Sequence, residues 1–226
     1  MNDLLVATLF LIGTHFGLAS RPLREQLVST LGEGLYRILY SLVAVLALVW
    51  LVVAWRSAPW IPLWEPGPAL RHVPLLVMPL ALLLVITALS APNPTAVGQR
   101  PDADAAEPAR GMLRVTRHPL LWGVALWAAA HMLANGDLAA VLFFGAFLVL
   151  ALAGTVVIDA RRSRANPPGW GVFLQRTSNL PFAAILDKRQ RLVASEIGLA
   201  RLAAALALFL VLVLLHPFLF GVAVLG

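Results

Sequence analysis

The chain has 226 residues, of which 60% are hydrophobic and 12% are charged, and its mean hydropathy is +0.85. Because soluble domains average roughly 25% charged residues, this composition excludes an ordinary soluble protein and indicates a helical membrane protein with several spans. The absence of cysteine excludes disulfides, thiolate metal ligands and a cysteine nucleophile, and the net charge of +6 favours membrane topology over nucleic-acid binding.

Apolar segments of about the length of a membrane span recur along the whole chain. They predict six spans, at residues 4–20, 35–55, 73–89, 119–133, 138–158 and 202–220. The first segment follows Met1, Asn2 and Asp3, which provide no positive region of a signal peptide, so it is expected to remain in the membrane. No long hydrophilic stretch could form a second domain. The sequence therefore predicts one all-α polytopic transmembrane bundle covering residues 1–226.

The positive charges are distributed asymmetrically among the loops. Of the 17 Lys and Arg residues, all except Arg56 and Arg71 fall in or beside the first, third and fifth loops. The positive-inside rule places those three loops in the cytoplasm. In a bacterial inner membrane, both termini would then be periplasmic.

The loops differ in composition, and each composition predicts a different behaviour. Residues 57–71 are rich in Pro and Trp and predict an ordered interfacial loop. Residues 90–107 contain several Pro and Ala residues and predict a flexible linker. Residues 169–186 predict either a segment lying at the membrane interface or an ordinary basic loop. Residues 135–137, Asn-Gly-Asp, predict a tight turn between the fourth and fifth spans.

Two of the five histidines, His15 and His131, lie inside apolar spans. An ionisable side chain at membrane depth is costly unless it has a partner, so such a residue is a functional-site candidate. With a rise of 1.5 Å per residue, the two histidines lie within roughly 5 Å of the same depth, near the middle of the membrane. His72 and His216 lie near span ends and are expected to be interfacial.

Two imidazoles at one depth can bind a haem iron from opposite faces, because imidazole is a common axial ligand. Trp127 and Asn135 share a helix face with His131, and the Asn135 amide is expected to reach the histidine ring or a haem edge. The alternatives are a hydrogen bond between two helices, or close helix packing at Gly13 and Gly17. Zinc is less favoured, because only two histidines converge and cysteine is absent.

Arg117, His118 and Pro119 form the expected start of the fourth span, with Thr116 as a possible N-cap. A helix N-terminus beside arginines attracts anions. The expected ligand is a lipid phosphate, a haem propionate or the headgroup of a substrate.

Four separated motifs resemble the NnrU family of integral membrane proteins. They are GTHFGLAS at residues 13–20, RHPLLWG at 117–123, HMLANGD at 131–137, and Trp170 with TS at 177–178 and PFAAI at 181–185. The resemblance implies a bacterial inner-membrane protein linked to denitrification and nitric oxide metabolism.

The NnrU family is related to 15-cis-zeta-carotene isomerase, a membrane enzyme with b-type haem. That relationship implies that His15 and His131 are the axial ligands, and that the protein is a redox sensor, an electron carrier or a redox-dependent isomerase. The isomerase has a cysteine three residues before its second histidine, whereas this chain has Ala128. A mechanism that switches ligands is therefore in doubt. The expected partners are the bilayer, a hydrophobic small molecule or a membrane redox protein.

Two other functions are open at this point. The Arg-His-Pro-x-x-x-Gly pattern from Arg117 is similar to that of isoprenylcysteine carboxyl methyltransferases, which use S-adenosylmethionine. Those enzymes add a pair of glutamates, whereas the fifth span here ends in Asp159-Ala-Arg161-Arg162. The third possibility is an accessory membrane protein that has no catalytic activity.

Overall fold

The computed structural model describes residues 1–102 and 107–224 and contains nine α-helices in those ranges. The helices are α1 (Asn2–Ala19), α2 (Arg21–Arg56), α3 (Pro68–Arg71), α4 (Val73–Ser90), α5 (Pro119–Asn135), α6 (Leu138–Ala165), α7 (Trp170–Arg176), α8 (Ala183–Leu186) and α9 (Leu199–Phe220). Two 3₁₀ turns, Gly111–Arg114 and Ala194–Glu196, precede α5 and α9. The all-α class predicted from hydropathy is confirmed.

Among the described residues, five helical segments are long and apolar enough to cross a membrane: α1, α2, α3 with α4, α6 and α9. The sixth predicted span is α5, which has 17 residues and lies between α4 and α6. The helices pack in the order α9, α4, α5, α6, α1 and α2. Helix α5 is therefore an inner helix of the bundle, packed between α4 and α6.

The contact between α4 and α5 depends on Gly123. A Cβ atom at this position would lie 2.8 Å from the Ala81 carbonyl oxygen and 2.8 Å from Val85 Cγ2. Only a glycine allows the two backbones to approach this closely, as is common where helices pack within membranes.

The turn between α5 and α6 has the predicted form. Gly136 is left-handed, with a φ of 72°, and the Asp137 side chain caps α6 by accepting a hydrogen bond from the Ala140 N–H at 3.0 Å. The Gly136 carbonyl also accepts hydrogen bonds from the N–H groups of Leu63 and Trp64. The Pro- and Trp-rich loop is therefore held on this turn, and the prediction that it is ordered is confirmed.

The second helix begins earlier than the predicted span, at Arg21 rather than residue 35. It bends at Gly32, where φ is 78° and ψ is 156°, so residues 21–31 form a separate helical arm. Both Glu33 carboxylate oxygens accept from Arg24 Nη2, at 2.7 and 2.8 Å, which joins the arm to the rest of α2. Residues 21–34 contain polar side chains at intervals, so hydropathy alone does not reveal this helical extension.

The prediction of a flexible linker at residues 90–107 is wrong for its first half. Asn93 and Thr95 are buried, and the Thr95 hydroxyl donates to the Arg117 carbonyl at 3.0 Å. Arg162 also donates to the carbonyls of Ala96 and Gln99, at 2.8 Å each. These bonds hold the segment against α6. Residues 103–106 of the predicted linker lie outside the described residues.

The fifth loop is folded rather than extended. Trp170 and Phe173 of α7 are buried against Ala109 and Leu113, so residues 107–118 and 166–198 together form a small cap with its own apolar core. The cap covers the end of the bundle at which α1, α4 and α6 end and α2, α5 and α9 begin. We call this end the basic end, because most of the Lys and Arg residues lie there.

Candidate functional site

His15 lies on α1 and faces α2. Its Nδ1 atom is 3.1 Å from the Tyr40 hydroxyl, and the two ring centroids are 5.6 Å apart. The ring also borders a cavity of about 270 Å³ whose other walls are apolar. Those walls are Leu11, Ala44, Leu48, Leu121, Val124, Phe147, Leu150 and Ala151.

His131 lies on α5 in an aromatic environment. Its Nδ1 atom is 2.8 Å from the Trp127 carbonyl oxygen, one turn earlier on the same helix. Its ring centroid is 5.8 Å from that of Trp127 and 5.3 Å from that of Phe144 on α6. The Asn135 amide donates to the His131 carbonyl at 2.7 Å, so in this structure it contacts the backbone of His131 rather than its ring.

The two histidines share one feature of ring chemistry. The Trp127 carbonyl can only accept a hydrogen bond, so His131 Nδ1 carries the proton and the Nε2 lone pair is available to a ligand. The same holds for His15 in the tautomer whose Nδ1–H donates to the Tyr40 hydroxyl. His72 and His216 make similar Nδ1 contacts, with the carbonyls of Pro68 and Val222, but at exposed helix ends. Among the histidines that the structure describes, His15 and His131 are the two that combine an unbonded Nε2 with an apolar setting inside the bundle.

The structure does not place His131 on the walls of the His15 cavity. The nearest lining residue of α5, Val124, precedes His131 by seven positions, which is roughly 10 Å along the helix. The predicted difference in depth was roughly 5 Å. Helices α1 and α5 are not closely packed against each other, and the cavity lies between them. A ligand shared by both rings would therefore have to extend this cavity along α5 toward Trp127.

His118 and Asp159 form a second polar site at the basic end. His118 Nε2 is 2.8 Å from Asp159 Oδ1, and Arg117 Nε is 3.4 Å from Asp159 Oδ2. The His118 side chain is 1% exposed and the Arg117 side chain 12%. The anion that the sequence predicts at this helix start is thus supplied by the chain itself, from α6. Binding of a propionate or a substrate headgroup by Arg117 and His118 stays a prediction.

The backbone around this site is fixed by hydrogen bonds from three segments. Thr116 does not cap α5 directly: His118 precedes Pro119 as the N-cap residue, and the Thr116 hydroxyl accepts from the His118 N–H. The same hydroxyl donates to the Asn179 carbonyl at 2.7 Å, and the Arg117 N–H donates to the Ser178 carbonyl at 2.9 Å. Residues 177–185, which contain the fourth sequence motif, therefore position the start of α5.

Some polar atoms at this site have no hydrogen-bond partner within the described residues. They are His118 Nδ1 and, although Arg117 is close to Asp159, the Nε and Nη1 atoms of Arg117. Burial lowers the pKa of the Arg117 guanidinium, and the neighbouring Asp159 opposes that effect. Unpaired buried donors of this kind mark a candidate site for a proton or a small polar group.

A third polar cluster joins the cap to the start of α9. Glu196 Oε2 accepts from Arg114 Nε at 2.7 Å and from the Gly111 N–H at 2.8 Å, and Glu196 Oε1 accepts from Arg114 Nη2 at 2.8 Å. The hydrogen bonds from Arg114 lower the pKa of Glu196 to about 2, and Glu196 in turn raises the pKa of Arg114. Arg114 is buried, so this cluster holds the cap together rather than binding a ligand.

Sequence reasoning missed three of the residues that shape these sites. Tyr40 lies far in sequence from His15, and Asn179 lies far from Thr116 and Trp122, so nothing in the local pattern marks either residue. Glu196 is one of only 11 acidic residues in the chain, and that scarcity beside 17 Lys and Arg residues was the available signal. Asp159 was located by sequence at the end of the fifth span, but its contacts with Arg117 and His118 were not predicted.

Comparison with protein families shows which family this chain belongs to. The family model described as NnrU protein matches residues 3–224, almost the whole chain. The chain belongs to the NnrU family. This match confirms the resemblance carried by the four sequence motifs, two of which contain His15 and His131.

Two curated relatives of this NnrU family member are plant enzymes. The chain is 38% identical over 82 residues to "15-cis-zeta-carotene isomerase, chloroplastic" of Zea mays, and 34% identical over 80 residues to the protein of that name in Arabidopsis thaliana. The matches cover 36% and 35% of this chain, and 22% of each relative. The chain thus spans about a fifth of the length of these relatives. No solved structure matches it significantly.

Proposed function

We propose that this NnrU family member binds one b-type haem between α1 and α5, with His15 and His131 as axial ligands, and acts in the redox chemistry of nitrogen oxides. The observation that carries the proposal is the shared state of the two rings. Each ring lies in an apolar setting and is held through Nδ1, which leaves the Nε2 lone pair free in His131, and in His15 when its Nδ1–H donates to Tyr40.

The surroundings of the two rings fit the macrocycle in two respects. The cavity beside His15 is otherwise lined by apolar side chains, and Trp127, Phe144 and Phe147 supply flat surfaces beside His131. The cavity of about 270 Å³ is smaller than a typical ligand site of roughly 300–1,000 Å³. Binding therefore requires α1 to move away from α5, which is possible because these helices are not packed tightly together.

No group of three or more His, Asp or Glu side chains in residues 1–102 and 107–224 could hold a metal ion. Iron at His15 and His131 would consequently depend on the porphyrin nitrogens for its remaining ligands. A haem supplies one-electron redox chemistry and binds diatomic gases such as nitric oxide when a ligand position opens. The role of the protein would be to bind and orient the haem and to exclude water from it.

The name of the plant relatives supports a narrower version of the proposal, in which the chain isomerises a hydrophobic polyene and the proposed haem makes that activity redox-dependent. Ala128 stands where the isomerase family has a cysteine that could replace the second histidine. An isomerisation here would therefore work without exchange of that ligand. The substrate would reach the site from the bilayer, past the exposed apolar faces of α1 and α2.

The test is an optical spectrum of the full chain, purified in detergent from haem-replete cells, with and without dithionite. We expect a Soret band in the wild type that is lost in His15→Ala and in His131→Ala. His72→Ala is the matched control, since His72 makes the same kind of Nδ1 contact outside the bundle, and its spectrum should be unchanged. A colourless wild-type preparation would contradict the proposal.

The methyltransferase alternative receives no support from the geometry. Arg117 and His118 are directed at Asp159 and are almost completely buried, so they cannot reach a ligand the size of S-adenosylmethionine without breaking that contact. A titration of the purified protein with S-adenosylmethionine should show no binding. An accessory protein without a cofactor is distinguished by the spectrum described above.

We also propose that the chain lies in a bacterial inner membrane with its basic end in the cytoplasm and both termini in the periplasm. The support is the concentration of Lys and Arg in the loops at that end. Because the chain has no cysteine, single cysteines can be introduced at Asn2 and Ser195 without interference. A membrane-impermeant maleimide added to intact spheroplasts should label the first site and spare the second.

A further inference from the structure

A large cleft lies at the basic end, between the helical arm of α2 and the last turns of α6. Its volume is about 820 Å³, roughly three times that of the cavity beside His15. Its walls are Phe16, Ala19, Ser20, Arg21, Arg24, Glu25, Ala153, Val157, Arg161, Arg164 and Ala165. The helical arm that ends at the Gly32 bend forms one side of this cleft, through Arg21, Arg24 and Glu25.

The charge in the cleft is strongly positive. Four arginines and one glutamate line it. Arg21 is paired with Glu25 at 2.8 Å, and Arg24 is paired with Glu33 at 2.7 Å. Arg161 and Arg164 are exposed and make no ion pair with any acidic residue that the structure describes. Two guanidinium groups in one cleft are therefore available to an anion.

The opposite wall of the cleft is apolar. Phe16 and Ala19 of α1 face Ala153 and Val157 of α6, one to three turns from the arginines toward the middle of the bundle. This wall adjoins the cavity beside His15, which Leu150 and Ala151 also line. The cleft thus combines a cationic mouth with an apolar groove that runs along α1 and α6.

We propose that this cleft binds one anionic phospholipid of the surrounding bilayer, with its phosphate on Arg161 and Arg164 and an acyl chain along Phe16, Ala153 and Val157. Guanidinium groups bind phosphate through paired hydrogen bonds, which suits two unpaired arginines one turn apart. A free phosphate would leave the apolar groove unfilled, whereas a lipid fills both parts. The site is separate from the proposed haem site and does not depend on it.

Native mass spectrometry of the full chain in detergent, titrated with phosphatidylglycerol, tests this proposal. We expect one tightly bound lipid in the wild type. The double variant R161Q/R164Q should bind it about tenfold more weakly or worse, as the loss of two charges near a lipid headgroup implies. The matched control is R176Q/R191Q, which removes two exposed arginines of the cap and should bind the lipid as the wild type does.

A second variant tests the cleft without a change of charge. Ala165→Trp fills the mouth of the cleft and should also weaken the binding of phosphatidylglycerol, even if R161Q/R164Q proves unstable. Phosphatidylcholine should not compete. An equal loss of binding in R161Q/R164Q and R176Q/R191Q would show a general attraction to the basic end and overturn the proposal. Displacement of the lipid by an equal concentration of inorganic phosphate would overturn it as well.

Discussion

His118 Nε2 lies 2.8 Å from Asp159 Oδ1, and this contact joins the first residue before α5 to the last turns of α6. The two residues are 41 positions apart, and the tight turn at Gly136 lies between them. The α5–α6 hairpin is therefore fixed at both ends, by a turn at one and by a buried polar pair at the other.

Removing the Asp159 charge should destabilise the bundle. In Asp159→Asn, the buried Arg117 and His118 side chains lose the carboxylate that faces them both, and we expect the free energy of unfolding to fall by about 3 kcal/mol. Unfolding in mixed micelles with increasing SDS measures this change. The control is Asp187→Asn, which removes an exposed ion pair with Arg189 and should cost less than about 1 kcal/mol. Equal stabilities of the two variants would contradict the role given to Asp159.

Gly123→Ala should also destabilise the protein, because its new methyl group would lie 2.8 Å from the Ala81 carbonyl oxygen. Overpacking of this kind costs about 1–3 kcal/mol. Gly145→Ala is the matched control, since nothing lies within 4 Å of the added methyl group on α6. It should leave the free energy of unfolding unchanged or raise it by up to about 1 kcal/mol. Unfolding curves in which Gly123→Ala is as stable as Gly145→Ala would count against close packing of α4 on α5.

The pairing of Glu196 with Arg114 should make stability depend on pH in acid. The pKa of Glu196 is lowered from 4.5 to about 2 in the folded protein, so its contribution is complete above pH 4.5 and is lost as the pH falls through about 2. The difference in unfolding free energy between the wild type and Glu196→Gln should therefore be largest above pH 4.5 and shrink below it. Glu25→Gln, which breaks an exposed pair, should shift stability by less than about 1 kcal/mol at every pH. If the difference in unfolding free energy between the wild type and Glu196→Gln stays constant down to pH 2, the lowered pKa of Glu196 is contradicted.

Tyr40→Phe should change the reduction potential of the proposed haem without causing loss of the haem. In the proposed haem site, the Tyr40 hydroxyl would accept from His15 Nδ1–H and make the imidazole a more basic ligand. Its loss should therefore raise the reduction potential while the Soret band is retained. Redox titration of the purified variant measures the potential. Tyr36→Phe is the control, because the Tyr36 hydroxyl donates to the Leu18 carbonyl and touches no histidine. If the two variants have the same reduction potential, Tyr40 does not influence the iron through His15.

The membrane-spanning helices were predictable because hydropathy reports directly on burial in lipid. The α6 start at Leu138 matches its predicted position, and the α5 start at Pro119 follows from the geometry that proline favours at the first helical position. The helical arm of α2 was not predictable in this way. Its arginines and glutamates resemble those of a loop, and the Arg24–Glu33 pair that holds the arm is made across the bend.

The partners within the polar sites could not be predicted from local sequence. Each pair joins residues that lie far apart in the chain, such as Arg114 with Glu196 and His118 with Asp159. With 17 Lys and Arg residues and only 11 acidic ones, many pairings satisfy the same charge rules. The choice among them depends on how the cap folds against α5, which hydropathy does not specify.

The position of α9 has a consequence for how the protein is made. This helix packs on α4 and leaves most of its apolar surface to lipid, and its attachment at the basic end comes from Arg201 donating to Ser90 and from Glu196. The contacts that join α1, α2, α4, α5 and α6 to one another are made without α9. These helices can therefore assemble in the bilayer while α9 is still inside the ribosome, and α9 can dock last on a bundle that is already complete.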